Sequence, residues 1–267
     1  MSMEKELKKL ENYYVTKPDG ILTMYLNTDL ADPEQQGGEW KIHFKNGMNN
    51  FDHYLMESGD KDEKRNFRAI KEKLETYIQD YERNLSKSLI VFASSDGELF
   101  FAQPVQMPVK TEFFWEDHPV LDQLHQLTEQ FPKTGVVLVQ QENVKILEAE
   151  LGALQDTTHY ELDLNTEDWR EATGPHQAQA TMGKGGKNPQ KEEFEDRFRA
   201  HQQRWYKRLA PTLDKMAKDR NWQEIYLVGA REEAEEIESN MNKPVKEVVN
   251  KNLLEHEETK VLNEVVL

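Results

Sequence analysis

From Gly135 onward three segments of strand length follow one another: GVVLVQQ at 135–141, VKILEAEL at 144–151 and a third at 158–164. Only Glu142-Asn143 separates the first two, too little chain for a crossover helix, so they turn back on each other as an antiparallel meander. Helical spacing returns only with Phe194, Phe198, Trp205, Leu209, Leu213 and Met216, where Pro211 is expected to kink or split the helix. Beyond it, EIYLV (224–228), Gly229 and a Glu-rich stretch (231–241) read as strand, turn and helix, followed by a strand near Val245–Val249 and a terminal helix. A meander that then alternates strand with helix predicts a mixed-sheet α/β domain.

The amino-terminal segment is also α/β in pattern. Leu7, Leu10 and Tyr14 mark an opening helix, and ILTMYLN (21–27) a strand. Apolar residues at Trp40, Phe44, Met48, Phe51 and Leu55, and again at Phe67, Ile70, Leu74, Ile78, Tyr81 and Leu85, predict two helices broken at Ser58-Gly59-Asp60. A hairpin is predicted around Ser94-Ser95-Asp96-Gly97, and a further strand near Val109–Trp115. Asp117 and Pro119 read as cap and first turn of a helix bearing Val120, Leu124, Leu127 and Phe131, stopped by Pro132. The expected division is a domain of undefined role at 1–110 and a second at 111–267.

Composition narrows the classes. With 267 residues and 37% hydrophobic side chains the chain can bury real cores. Its apolar runs fall far short of the ~20 residues a membrane helix needs. The charged amino terminus has no apolar signal core, and zero Cys fits a reducing compartment, so a cytoplasmic location is expected. There is no G-x-S-x-G elbow, and GKGGKN lacks the spacing of a phosphate-binding P-loop. The eight His show no i, i+4 pair, so no metal site and no cofactor are expected.

The net charge of −16 disfavours indiscriminate nucleic-acid binding, including DNA, but it is unevenly spread. Residues 182–220 hold eleven Lys or Arg against six Asp or Glu, in an otherwise acidic chain. Just before and within that segment, 165–190 loses all periodicity and collects Gly174, Pro175, Gly183, Gly185, Gly186 and Pro189. A stretch that long is a functional loop or a disordered insert, and with almost nothing apolar to bury it is expected to be mobile in the free protein. Glycines let backbone approach a ligand closely, and lysines beside them neutralise phosphates.

Three segments, GVVLVQQENVKILEAELG, QKEEFEDRFRAHQQRW and YLVGAREEAEEI, together resemble the central domain of the archaeal and eukaryotic class 1 peptide-chain release factors. The similarity is greater to their bacterial relatives, including the ribosome-rescue branch that contains a quality-control peptidyl-tRNA hydrolase. It spans roughly residues 111–250 and implies an RNase H-like domain with a catalytic Gly-rich loop. It further implies that the chain acts at the large ribosomal subunit on peptidyl-tRNA, as a hydrolase or as a non-catalytic ribosome- or tRNA-binding factor of the same fold. A nuclease acting on the tRNA acceptor end is a third reading, without an evident constellation of carboxylates.

Where release factors carry Gly-Gly-Gln, this chain has Gly185-Gly186 separated from Gln190 by three residues, with a Gly-x-x-Gln earlier at Gly174–Gln177. The resemblance therefore implies Gln190, Gly185 and Gly186 as the catalytic group, with Gln177 and Gly174 as the alternative. Lys184, Lys187, Lys191, Arg197, Arg199, Arg204, Lys207 and Arg208 would hold RNA phosphates. No codon-reading Asn-Ile-Lys-Ser motif is present, so stop-codon recognition is not implied.

Overall fold

The computed structural model describes residues 3–58, 60–84, 86–163, 168–172 and 189–267, with the side chains of 58, 84, 189–200 and 202 left out. The chain forms two compact units, Met1–Gln130 and Phe131–Leu267.

The first unit contains α1 (Met3–Glu11), β1 (Ile21–Asn27), α2 (Trp40–Ser58), α3 (Lys61–Tyr81), β2 (Ser88–Ser94), β3 (Phe100–Val105), β4 (Glu112–Glu116) and α4 (Asp122–Gln130). Its antiparallel sheet has the order β3-β2-β1-β4. β1 lies between two partners and is covered on both faces, which is why ILTMYLN is an almost unbroken apolar run. One face, with Leu22, Met24 and Leu26, packs on Trp40, Phe44 and Met48 of α2 and on Phe67, Ile70 and Leu74 of α3. α3 starts where Asp60 accepts from the amides of Asp62 and Glu63, both at 3.0 Å.

Three expectations are corrected here. The boundary at 110/111 moves to 130/131, because β4 pairs with β1 from Ile21↔Glu116 to Tyr25↔Glu112 and so belongs to the first sheet. α4 begins at Asp122, not beside Asp117. The intervening chain is pinned to the sheet, where Val120 N donates to Thr23 Oγ1 (3.1 Å) and Tyr25 Oη donates to the Val120 carbonyl (2.8 Å). Tyr14 lies outside α1 and is 67% exposed.

The second unit contains β5 (Thr134–Gln140), β6 (Asn143–Glu150), β7 (Ala153–Asp163), β8 (Asp168–Glu171), α5 (Pro189–Asp219), β9 (Glu224–Val228), α6 (Arg231–Asn240), β10 (Glu247–Val249) and α7 (Glu258–Val265). The sheet order is β10-β9-β5-β6-β7-β8. β5, β9 and β10 run parallel, while β6 is antiparallel to its neighbours β5 and β7. Without the edge strand β8, this is a five-strand order of 5-4-1-2-3 with only the second strand reversed, the RNase H-like arrangement. Alternation along the strands splits the core. Val137, Val139, Ile146 and Leu227 face α5 and α6, and Val136, Leu138, Leu147 and Tyr226 face α7. Gly135 is required by close approach, since a Cβ there would stand 2.3 Å from the Trp222 indole.

The aperiodic stretch is shorter than the sequence suggests at both ends. Asp168–Glu171 pairs antiparallel with Tyr160–Asp163 as β8, and Pro189-Gln190 already belongs to α5, with Pro at the first helical position, where its missing N–H costs nothing. α5 runs unbroken through Pro211 for 31 residues. Pro211 sits on the exposed side, where water can take the carbonyl it frees, while the buried side holds the helix to the sheet.

Candidate nucleic-acid interface

α5 buries a continuous stripe from Trp205 onward. Trp205, Tyr206, Leu209, Ala210, Leu213, Met216 and Ala217 are all in the core, at the spacing that leaves the opposite face to solvent. On that opposite face Arg204, Lys207 and Arg208 are exposed together, with Lys215 and Lys218 further along. Arg208 already has a partner, as its Nη1 lies 3.1 Å from Asp168 Oδ1 on β8. The pair is exposed, and such pairs exchange readily for a phosphate.

β8 was not legible in the sequence, yet it is clamped to α5 next to this basic face. Trp169 Nε1 donates to the Trp205 carbonyl at 2.9 Å, and its ring stacks on Tyr206 with centroids 6.1 Å apart and planes 17° from parallel. Its single apolar side chain per four residues is too sparse for a periodicity argument. Ala172 continues the pairing with a bond from its amide to the His159 carbonyl (2.9 Å). The chain entering 173–188 is thus tied to the middle of α5. The helix's first residue lies about 24 Å further along the axis, at 1.5 Å per residue from Trp205 back to Pro189.

A second group that the sequence did not point to meets under α5. Tyr206 Oη donates to the Gln141 carbonyl (3.2 Å), and Gln141 N donates to Glu233 Oε2 (3.4 Å). Gln141 takes φ 53° in the tight β5–β6 turn and places Glu142 beside Glu161 and Glu233. Burial pushes the Glu142 and Glu233 carboxyls above the ordinary carboxylate range, and it pushes the Tyr206 phenol far up. The residues come from the β5–β6 turn, β7, α5 and α6, so no local motif announces them. Among the described residues no group of three or more His, Cys, Asp or Glu is placed to hold a metal ion. Nor is any described helix long and apolar enough to cross a membrane.

Of the residues singled out from sequence, Arg204, Lys207 and Arg208 come together on one exposed face. Gln190, Lys191, Arg197 and Arg199 belong to the backbone of α5, and their side chains lie outside the described set. Gly174, Gln177, Lys184, Gly185, Gly186 and Lys187, with the mobility expected of their loop, lie outside the described residues. His201 is half-buried, its ring 5.8 Å from that of Trp205.

A mixed six-stranded sheet, one long helix with a basic outer face and a segment rich in Gly, Lys and Gln before it are the parts of a release-factor-like domain. The sequence profile described as bacterial archaeo-eukaryotic release factor family 5 matches residues 132–267, just over half the chain, and the chain belongs to that family. Over its whole length it is 37% identical to the uncharacterized protein YocB of Bacillus subtilis (strain 168), covering 99% of that protein. Two solved structures are also similar. The archaeal translation termination factor aRF1 matches with TM-score 0.31 and 12% identity over 98% of this chain and 71% of that one. A structure described as an archaeal protein matches with TM-score 0.30 and 13% identity over 97% and 71%. At those scores neither likeness bears on the site.

Proposed function

We propose that this protein is a ribosome-associated peptidyl-tRNA hydrolase that frees nascent chains from stalled ribosomes or split large subunits. One observation carries the reading: membership of the release-factor family over 132–267, the region that holds the basic face of α5 and the Gly/Lys/Gln segment before it. The reaction asks little of side chains. Water attacks the ester carbonyl, the carbonyl oxygen gathers negative charge, and the bond to the tRNA ribose oxygen breaks as that oxygen takes a proton. Orientation and a donor facing the developing charge dominate the rate.

In this reading Gln190 supplies the donor and positions the water, and Gly185 and Gly186 let the backbone enter a narrow cavity. Lys184, Lys187, Lys191, Arg197, Arg199, Arg204, Lys207 and Arg208 hold phosphates, fixing position without reading sequence. Gln177 with Gly174 is the alternative donor. No metal is required, so chelator added after the ribosomal complexes have been fixed in a stable state leaves activity intact.

A second reading is a non-catalytic ribosome- or tRNA-binding factor. It is favoured by the three residues between Gly186 and Gln190 and by the helical backbone of Gln190. Stalled ribosome–nascent-chain complexes incubated with the purified full chain separate the readings. Released peptide with full-length tRNA supports the hydrolase, unchanged peptidyl-tRNA supports the binding factor, and shortened tRNA contradicts both.

A further inference from the structure

Residues 1–130 carry 24 acidic against 15 basic side chains, yet between Lys61 and Lys73 six cations face three carboxylates. One of the three, Glu63, points inward. It is 6% exposed and accepts from Trp115 Nε1 at 3.1 Å, with Lys17 Nζ at 3.4 Å. The outer side of α3 is therefore a cationic face on an acidic unit. It forms a shallow groove lined by Lys61, Lys64, Arg65, Arg68, Ala69 and Glu72. These positions follow the i, i+3, i+4, i+7 rule, so the cations rise along the helix in steps of about 5.4 Å.

We propose that this face of α3 is a second docking surface for RNA, with Lys61, Lys64, Arg65 and Arg68 gripping a phosphate backbone. Among the described residues Lys61 and Lys64 make no ion pair. Arg65 pairs with Asp62 at 3.2 Å, and Arg68 is held by Asp52 of α2 through two bonds of 2.7 and 3.1 Å. Arg65 is exposed at its pair, so a phosphate can replace that carboxylate at little cost, whereas the two-bond pair of Arg68 with Asp52 holds more firmly.

A protein partner fits the groove less well. Ala69 is its one apolar liner, and tight protein contacts centre on buried aromatic or aliphatic anchors. A phosphate backbone needs only cations in a row. The choice of RNA over another polyanion rests on the ribosomal reading above.

The test measures binding of the full chain to a labelled RNA hairpin and to purified large ribosomal subunits across a salt series. Lys61→Glu with Lys64→Glu should weaken binding about tenfold or more. It should also reduce the slope of log K against log salt by about 1.4–1.8, the value of two phosphate contacts. Asp52→Asn, which releases Arg68, should tighten binding by about twofold to threefold. Unfolding temperatures measured alongside show that each variant is folded.

Unchanged affinity and slope in the double variant, with loss only when Arg204 and Lys207 are reversed, overturns this surface and leaves the ribosomal reading standing. Loss only in the α3 variant supports the surface and counts against the α5 face. Polyglutamate bound more tightly than RNA by the wild type, and released by the α3 variant, overturns RNA in favour of an acidic protein.

Discussion

Trp169 holds the edge strand β8 to α5, and Trp169→Ala should free that strand without unfolding the unit. The ring is half-buried, so truncation exposes about 100 Å² of apolar surface, worth about 2.5 kcal/mol at 25 cal/mol per Å². The stacking on Tyr206, with centroids 6.1 Å apart, adds about 0.5 kcal/mol, and the bond to the Trp205 carbonyl adds little because water replaces the lost donor. A local loss of about 3 kcal/mol corresponds to roughly a hundredfold lower protection, since every 1.4 kcal/mol is a factor of ten. Hydrogen exchange resolved to single amides reads it directly. Amides of residues 168–172 should exchange about a hundredfold faster, while those of β5 and β9, deep in the sheet, keep their protection. Trp169→Phe keeps a ring but loses the donor, and should fall between. Unchanged protection at 168–172 in Trp169→Ala would refute the clamp, and uniform loss across the sheet would show that Trp169 supports the whole core.

Further outcomes follow from the same structure. Reversing Arg204 and Lys207 to Glu should weaken binding to ribosomal subunits and lower its salt slope by about 1.4–1.8, measured over a salt series; Arg208 is avoided because a carboxylate there would face Asp168. Glu142 and Glu233 have folded pKa values raised by burial, so their contribution is full below the ordinary glutamate range and is lost as pH rises through the folded values. Thermal melts should therefore show Glu142→Gln/Glu233→Gln gaining on the wild type as pH rises above the ordinary glutamate range. Gly135→Ala should cost about 1–3 kcal/mol in denaturant unfolding, because the new Cβ meets an indole fixed by its bond from Trp222 Nε1 to Glu148 Oε2 at 2.7 Å.

Much of this architecture is written in local pattern, and its misses have specific causes. The meander, the hairpin at Ser94–Gly97 and the buried stripe of α5 were legible because each depends on periodicity or a turn within a few residues. β8 was not, since Asp168–Glu171 carries one apolar side chain and owes its place to Trp205, 36 positions from Trp169. The start of α4 failed for the same reason: Asp117 and Pro119 have the chemistry of a helix opening, but the sheet captures Val120 first. The boundary near 110 misled because a short strand, Glu112–Glu116, carries no sign of which sheet it joins. At the candidate site, the local excess of Lys and Arg over 182–220 was readable, and the fold brings Arg204, Lys207 and Arg208 of it onto one exposed face. The Tyr206–Gln141–Glu233 group was not, because it exists only once three elements pack.

The central claim is that one glutamine orients water at the peptidyl-tRNA ester, and single-turnover peptide release with binding measured in parallel tests it most directly. Gln190→Ala should bind stalled ribosome–nascent-chain complexes nearly as the wild type does, because one neutral side chain adds little to a phosphate-dominated interface. Its release rate should nonetheless fall about tenfold to a thousandfold, the effect of losing one oriented donor, while Gln177→Ala stays within a few-fold of wild type. The opposite ranking would move the active residue to the Gly174–Gln177 motif. Wild-type protein that binds these complexes and releases no peptide would contradict the hydrolase.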